Sequence, residues 1–226
     1  MRLKAGRPDL ADYARYFDAP DANADAPLTV TWAGVTTLLV DDGSSALMTD
    51  GFFSRPGLAA VGLGQIAPSA ARIDGSLERL GVHGLEAVLP VHTHFDHAMD
   101  SAVVAQRTGA RIVGGESAAQ VGIGGGLPQD RVVVATPGEA ITLGDYDVTL
   151  VEAEHCPPDR FPGVISAPVT PPVKTSAPSL PPVVVQVPAF SHVPANPPMP
   201  EMTVSSPTVL FPAAAWTVTP DPNATV

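Results

Sequence analysis

The apolar run Ala87-Val88-Leu89-Pro90-Val91 passes directly into His92-Thr93-His94-Phe95-Asp96-His97, and no other stretch constrains the chain as tightly. The run reads as a short buried strand, so the polar cluster sits where a strand leaves a sheet. In an extended segment, side chains two positions apart share a side at a spacing of roughly 6.5 Å. His92 and His94 can therefore converge on one ion, and zinc takes imidazole nitrogens at roughly 2.0–2.1 Å. Asp96 and His97 follow after the chain turns, where they face a second ion beside the first. Three of the six histidines crowd into this one turn, which favours a metal site over solvated loop side chains or a helix cap by Asp96.

The H-x-H-x-D-H pattern resembles the metallo-β-lactamase superfamily of metal-dependent hydrolases. Leu28 to Val40 looks like that family's opening hairpin, and Ala46-Leu47-Met48-Thr49-Asp50 looks like its strand ending in an aspartate. The resemblance extends over about residues 28–177. It implies an α+β fold, a metallo-β-lactamase-like αβ/βα sandwich of which the first half is legible, followed by a Pro-rich irregular tail. It also implies a ligand set. His92, His94 and His155 hold a first ion with a fourth position left for water, and Asp96 and His97 hold a second. His155 follows the run Leu150-Val151-Glu152-Ala153-Glu154, where the family places its third histidine. Three histidines with an open fourth position are the arrangement of a catalytic zinc.

Two ions, zinc by the family's habit or one in this chain, lower the pKa of a water toward about 7 and supply hydroxide as the nucleophile. Asp96 is then also the catalytic group that orients the attacking water or accepts its proton. Iron, manganese or nickel suit the same imidazole and carboxylate ligands. Asp50 has two readings: a strand-end turn residue beside Gly51, or, by the resemblance, a carboxylate behind the ligands that orients a metal-bound histidine. The activity implied is hydrolysis of an ester, lactone, amide or phosphodiester, and nothing in the sequence selects among them.

Formal charge is −11, with 23 acidic against 12 basic residues, which works against sequence-independent binding to nucleic acid or an anionic membrane. A small-molecule substrate is the expected partner. The single cysteine, Cys156, cannot form an internal disulfide, so nothing points to an oxidising compartment. The basic start Met1 to Pro8 leads into Asp9 and Asp12 rather than an apolar stretch, and no run is long and apolar enough to span a membrane. A cytoplasmic protein is expected.

Three regions follow from the composition. Residues 1–27 read as a short helix and linker, 28–163 as the metal-binding domain, and 164–226 as a Pro-rich low-complexity tail. Within the domain, strands are predicted over 28–32, 36–40, 46–49, 111–113, 131–135, 140–143 and 147–153, with Asp41-Asp42-Gly43 as a hairpin signal. Residues 52–68 read as a loop. A helix is predicted over 69–80, with Ser69 as N-cap and Gly81 as its stop, and another over 98–107. A third, from Glu116 to Val121, is expected to break at Gly122-Ile123-Gly124-Gly125-Gly126. That glycine cluster lacks the Lys-Ser/Thr of a phosphate-binding loop, so nucleotide binding is not expected there.

All 20 glycines lie at or before Gly163, whereas 18 of the 26 prolines lie from Pro157 onward. A switch this abrupt marks a loss of turn chemistry, and extended, polyproline-like chain is expected beyond it. The fold's second half would supply a bridging carboxylate and a final histidine. His192 and Asp221 are the only candidates by type, and neither sits in a family-like context. A reading-frame shift near Ala177 in a GC-rich gene accounts for the switch, since a one-base slip exchanges glycine codons for those of proline, valine or alanine. A neighbouring frame without glycine-punctuated αβ sequence excludes that explanation. The competing class is therefore a catalytically incomplete remnant that binds one metal or a protein partner, with self-association through an exposed half-fold face.

Overall fold

The computed structural model of the chain describes residues 27–153, 164–174 and 185–192. The predicted N-terminal helix, the candidate ligand His155, and the tail at 175–184 and 193–226 lie outside the described residues. In chain order the elements are β1 (Thr29–Gly34), β2 (Thr37–Asp41), β3 (Ala46–Thr49), α1 (Leu58–Leu63), β4 (Gln65–Ile66) and α2 (Ala70–Leu80). They continue with β5 (Leu85–Leu89), α3 (Phe95–Ala98), α4 (Ser101–Thr108), β6 (Arg111–Gly114), α5 (Glu116–Gly124) and β7 (Val132–Val134). The last are β8 (Ala140–Leu143), β9 (Tyr146–Ala153), β10 (Val173–Lys174) and β11 (Val185–His192).

The principal sheet has the order β1-β2-β3-β5-β6-β7. Its first three strands pair antiparallel through tight turns. From β3 onward the pairing is parallel, so each step needs a crossover, and the helices supply it. Successive residues of these strands face opposite sides. Met48, Val88 and Ile112 face the helices, against Ile73 of α2, Val104 of α4 and Ala118 of α5. Leu47, Leu89 and Val113 face the other way, against Leu143, Tyr146, Val148 and Leu150. Those partners belong to a second sheet of order β11-β9-β8. Tyr146 Oη donates to the Ser45 carbonyl at 3.2 Å and ties the two sheets together. The principal sheet is thus covered on both faces, which is why Ala87, Val88 and Leu89 of β5 are apolar in succession rather than alternating. A helical layer, a six-stranded sheet and a second sheet form the α+β sandwich expected from the sequence.

Three local readings are corrected. The stretch 52–68, expected as loop, contains α1 and β4. The helix expected over 98–107 is two helices, broken at Met99-Asp100. The glycine cluster does not break α5, which runs through to Gly124. Gly122 lies at a close approach, where an added Cβ would come within 3.2 Å of Val132 and 3.3 Å of Ile112. Packing here outweighs the local cost of glycine in a helix, about 1 kcal/mol relative to Ala. By contrast α2 begins and ends as read, with Ser69 at its N-cap and Gly81 closing it in the left-handed region at φ 61°.

Two segments of the Pro-rich stretch are described. Residues 164–174 lie against the domain, with the Val169 N–H donating to Gln120 O at 3.2 Å and β10 pairing antiparallel with β4. β11 pairs antiparallel with β9 from Val185↔Ala153 to His192↔Tyr146. Pro188 sits within β11, an edge strand, which is where sheets tolerate proline.

The two-sheet packing has a direct check. Leu47→Ala opens a cavity between the sheets and is expected to cost about 2–5 kcal/mol in urea unfolding. Val151→Ala, on the outer face of β9, is expected to cost less than about 0.5 kcal/mol. Equal costs at the two positions would mean that the second sheet does not pack on the first.

Candidate metal centre

β3 and β5 are adjacent and parallel, so the residues that follow them emerge side by side at the same edge of the sheet. This is the edge at which ligands bind in open parallel sheets. Asp50 follows β3 and the histidine turn follows β5. Asp50 is fully buried and has φ 54°, in the left-handed region that a non-glycine residue rarely adopts. The Gly51 N–H closes back on Thr49 O at 2.5 Å, so Asp50 is the centre of a strained three-residue turn. Gly51 at φ 73° continues it, and an added Cβ there would meet Val104 at 3.1 Å.

The strain aims the Asp50 carboxylate across the strand ends. Its Oδ1 accepts from the Val91 N–H at 2.8 Å, and Oδ2 accepts from His97 Nδ1 at 2.8 Å and from the Thr36 hydroxyl. Ser101 Oγ donates to the Asp50 carbonyl at 2.6 Å. Because a carboxylate only accepts, the His97 proton is assigned to Nδ1, which leaves the Nε2 lone pair facing outward. Asp96 Oδ2 lies 3.8 Å from that Nε2, with its side chain 44 % exposed.

His92 and His94 meet at the same place. His92 Nε2 and His94 Nδ1 are 3.0 Å apart. The His92 ring lies 3.7 Å from the His97 ring, centroid to centroid. Two nitrogens on one tetrahedral zinc, at bond lengths of roughly 2.0–2.1 Å, stand about 3.3 Å apart. The pair is within a few tenths of an ångström of that separation, so its donor chemistry and spacing fit a divalent ion. Among the described residues no third His, Cys, Asp or Glu completes a set with them, and His155, the expected third ligand, lies outside these residues. Thr93 Oγ1, between the two histidines, is buried with no hydrogen-bond partner among the described residues.

The structure therefore brings Asp50, His92, His94 and His97 together, with Asp96 at the solvent side. Sequence reasoning missed Asp100. This residue is fully buried at the α3–α4 break, where its Oδ2 accepts from the Phe53 N–H at 2.8 Å and the Ser54 N–H at 2.5 Å. Ser54 Oγ donates to Oδ1 at 2.7 Å. Asp100 thus fastens the loop leaving Asp50 to the helices leaving the histidine turn. Burial pushes its carboxyl above the ordinary 3.8, while the Ser54 and Phe53 donors pull the other way. Its signal in the sequence was an acidic residue inside an apolar helical pattern, which ordinarily marks a solvated face.

Sequence comparison bears on the same region. No family model matches the chain. The UPF0173 metal-dependent hydrolase of Anaeromyxobacter sp. (strain K) is 30 % identical over 130 residues, covering 56 % of this chain and 42 % of that relative. Its counterpart in Myxococcus xanthus (strain DK1622) is 30 % identical over 138 residues, covering 61 % and 42 %. The chain thus spans less than half the length of these relatives. Among solved structures, a metallo hydrolase from the archaeon Ignicoccus hospitalis overlays with TM-score 0.41 at 18 % identity, over 57 % of this chain and 49 % of its own. Overlays this loose add nothing to the strand order of the chain itself. Over about 130 residues the chain is thus similar to UPF0173 metal-dependent hydrolases.

Two outcomes are expected. In Asp50→Asn the amide N–H₂ replaces the acceptor facing His97, so the imidazole proton should move from Nδ1 to Nε2. Long-range nitrogen–proton NMR of the ring reads this directly, and an unmoved proton would mean that Asp50 does not set the tautomer. The second concerns pH. A carboxyl whose folded pKa is raised holds its proton more tightly folded than unfolded, so its contribution falls as pH climbs from the unfolded pKa through the folded one. The stability advantage of wild type over Asp100→Asn should therefore shrink as pH rises above about 4. A growing advantage would mean that the three donors outweigh burial.

Proposed function

We propose that the chain is a metal-dependent hydrolase acting on a small-molecule substrate, with its centre at the turn 92–97. The observation that carries this reading is the 3.0 Å approach of His92 Nε2 to His94 Nδ1 beside a third, carboxylate-oriented imidazole. His92 and His94 would hold a first ion together with His155, and Asp96 and His97 a second. Zinc suits this set best, since imidazole dominates it. When bound, such ions lower the pKa of a water and polarise the scissile oxygen.

The chain's own residues do the rest. Asp50 holds His97 in one tautomer and one orientation, so its Nε2 lone pair needs no rearrangement on binding. Asp96 is the one carboxylate of the turn and is partly exposed, so it can accept a proton from the attacking water as general base. Asp100 keeps the loop behind Asp50 in register with that turn. Ester, lactone, amide and phosphodiester substrates all satisfy this chemistry.

A second reading is favoured by one observation, the coverage of only 42 % of each relative. On that reading the chain is an incomplete remnant that binds one ion, or a partner, without turnover. The two separate on activity. If the first holds, purified protein hydrolyses at least one of p-nitrophenyl acetate, a γ-lactone or bis-p-nitrophenyl phosphate, loses activity to a chelator and regains it with zinc or manganese. Asp96→Asn then lowers kcat by about 10²–10⁴-fold. Metal binding with no turnover on any substrate would decide for the second.

A further inference from the structure

Beside the histidine turn lies a cavity of about 400 Å³, within the range of small-molecule sites. We infer that this chamber receives the apolar acyl part of a carbonyl substrate, an ester, lactone or amide with an aliphatic chain. The inference rests on the hydrolase reading above and narrows it.

The placement is set by the backbone of the turn. Thr93 and Phe95 alternate with His92 and His94, and both line the chamber. The proposed reacting centre and the chamber wall are therefore neighbouring residues of one segment. Met99, Ala102 and Val103 continue the wall from the α3–α4 break along α4, and among the described residues no charged side chain lines it. The far side is the strap 165–172. It is fastened by the Ile165 N–H donating to Ser117 Oγ at 2.9 Å, by the Val169 N–H to Gln120 O at 3.2 Å, and by the β10–β4 pairing. The chamber is thus walled by anchored segments.

A second cavity of about 340 Å³, lined by His92 and Thr93, is bordered by Glu116 and Glu152. Among the described residues the first chamber offers a substrate no charged side chain, so an aliphatic chain gains there by leaving water.

The test uses the full-length, metal-loaded protein with p-nitrophenyl acetate, butyrate and octanoate and with bis-p-nitrophenyl phosphate. The expected result is a rise in kcat/KM of about threefold to fourfold per added methylene. Val103→Trp, which fills the chamber, should lower the octanoate-to-acetate ratio at least tenfold; Val121→Phe serves where that variant does not fold. A readout without turnover accompanies these: Nile red binding to metal-free protein, displaced by methyl octanoate in wild type and weakened in Val103→Trp. Hydrolysis with no dependence on chain length, or preference for the phosphodiester, overturns the inference and leaves the hydrolase reading intact. Nile red displaced as expected, but no ester hydrolysed, overturns the hydrolase reading while the chamber stands as an acyl-binding site. Absence of both Nile red binding and chain-length dependence overturns the chamber.

Discussion

The buried carboxylate of Asp50 is the constraint on which the candidate centre depends. It is fully buried, and its charge is balanced by the Val91 N–H, the Thr36 hydroxyl and His97 Nδ1 rather than by a lysine or arginine. A buried carboxylate without such donors is expensive, so the three of them and the Asp50 side chain hold one another in place. One donor is the backbone of the histidine turn itself. The end of β5 and the end of β3 are therefore locked in register by the group that also orients His97.

The positive φ at Asp50 belongs to the same arrangement. A strained turn persists only where its surroundings over-determine it, and here they do so from several sides. Ser101 holds the Asp50 carbonyl, and Asp100 holds the loop that follows through Phe53 and Ser54. The result is a centre whose supporting shell is polar, buried and saturated, while His94 and Asp96 remain partly open to solvent. Such a layout suits a site in which the support must be rigid and the reacting side accessible.

Much of this was legible in the sequence because the governing signals are local. The apolar run into His92-Thr93-His94 marked a strand end, and Asp50 after Ala46–Thr49 marked another. That these ends lie side by side follows from the parallel pairing of β3 and β5, which the alternation alone did not give. Gly81 ended α2 as read because a left-handed C-cap is decided by the residue itself, whereas Ser69 stands at the N-cap without a side-chain cap hydrogen bond. What was illegible depends on tertiary contact. Gly122 belongs to a helix because Val132 and Ile112 crowd it, and no local rule anticipates that. Asp100 reads as a surface acid until its three donors are seen, and α1, without a polar side chain anywhere in it, has no amphipathic face to mark it.

The described part is a sheet covered on both faces, with one helical layer and a second sheet. The central claim is that His92 and His94 form one half of a metal site. Zinc per chain, measured on purified protein dialysed against buffered zinc, tests this most directly when wild type is compared with the double variant His92→Ala, His94→Ala. The account requires one to two equivalents in wild type and the loss of the first-site ion in the double variant, with the fold retained by circular dichroism. Wild type that takes up no zinc, or a double variant that binds as much, would contradict it.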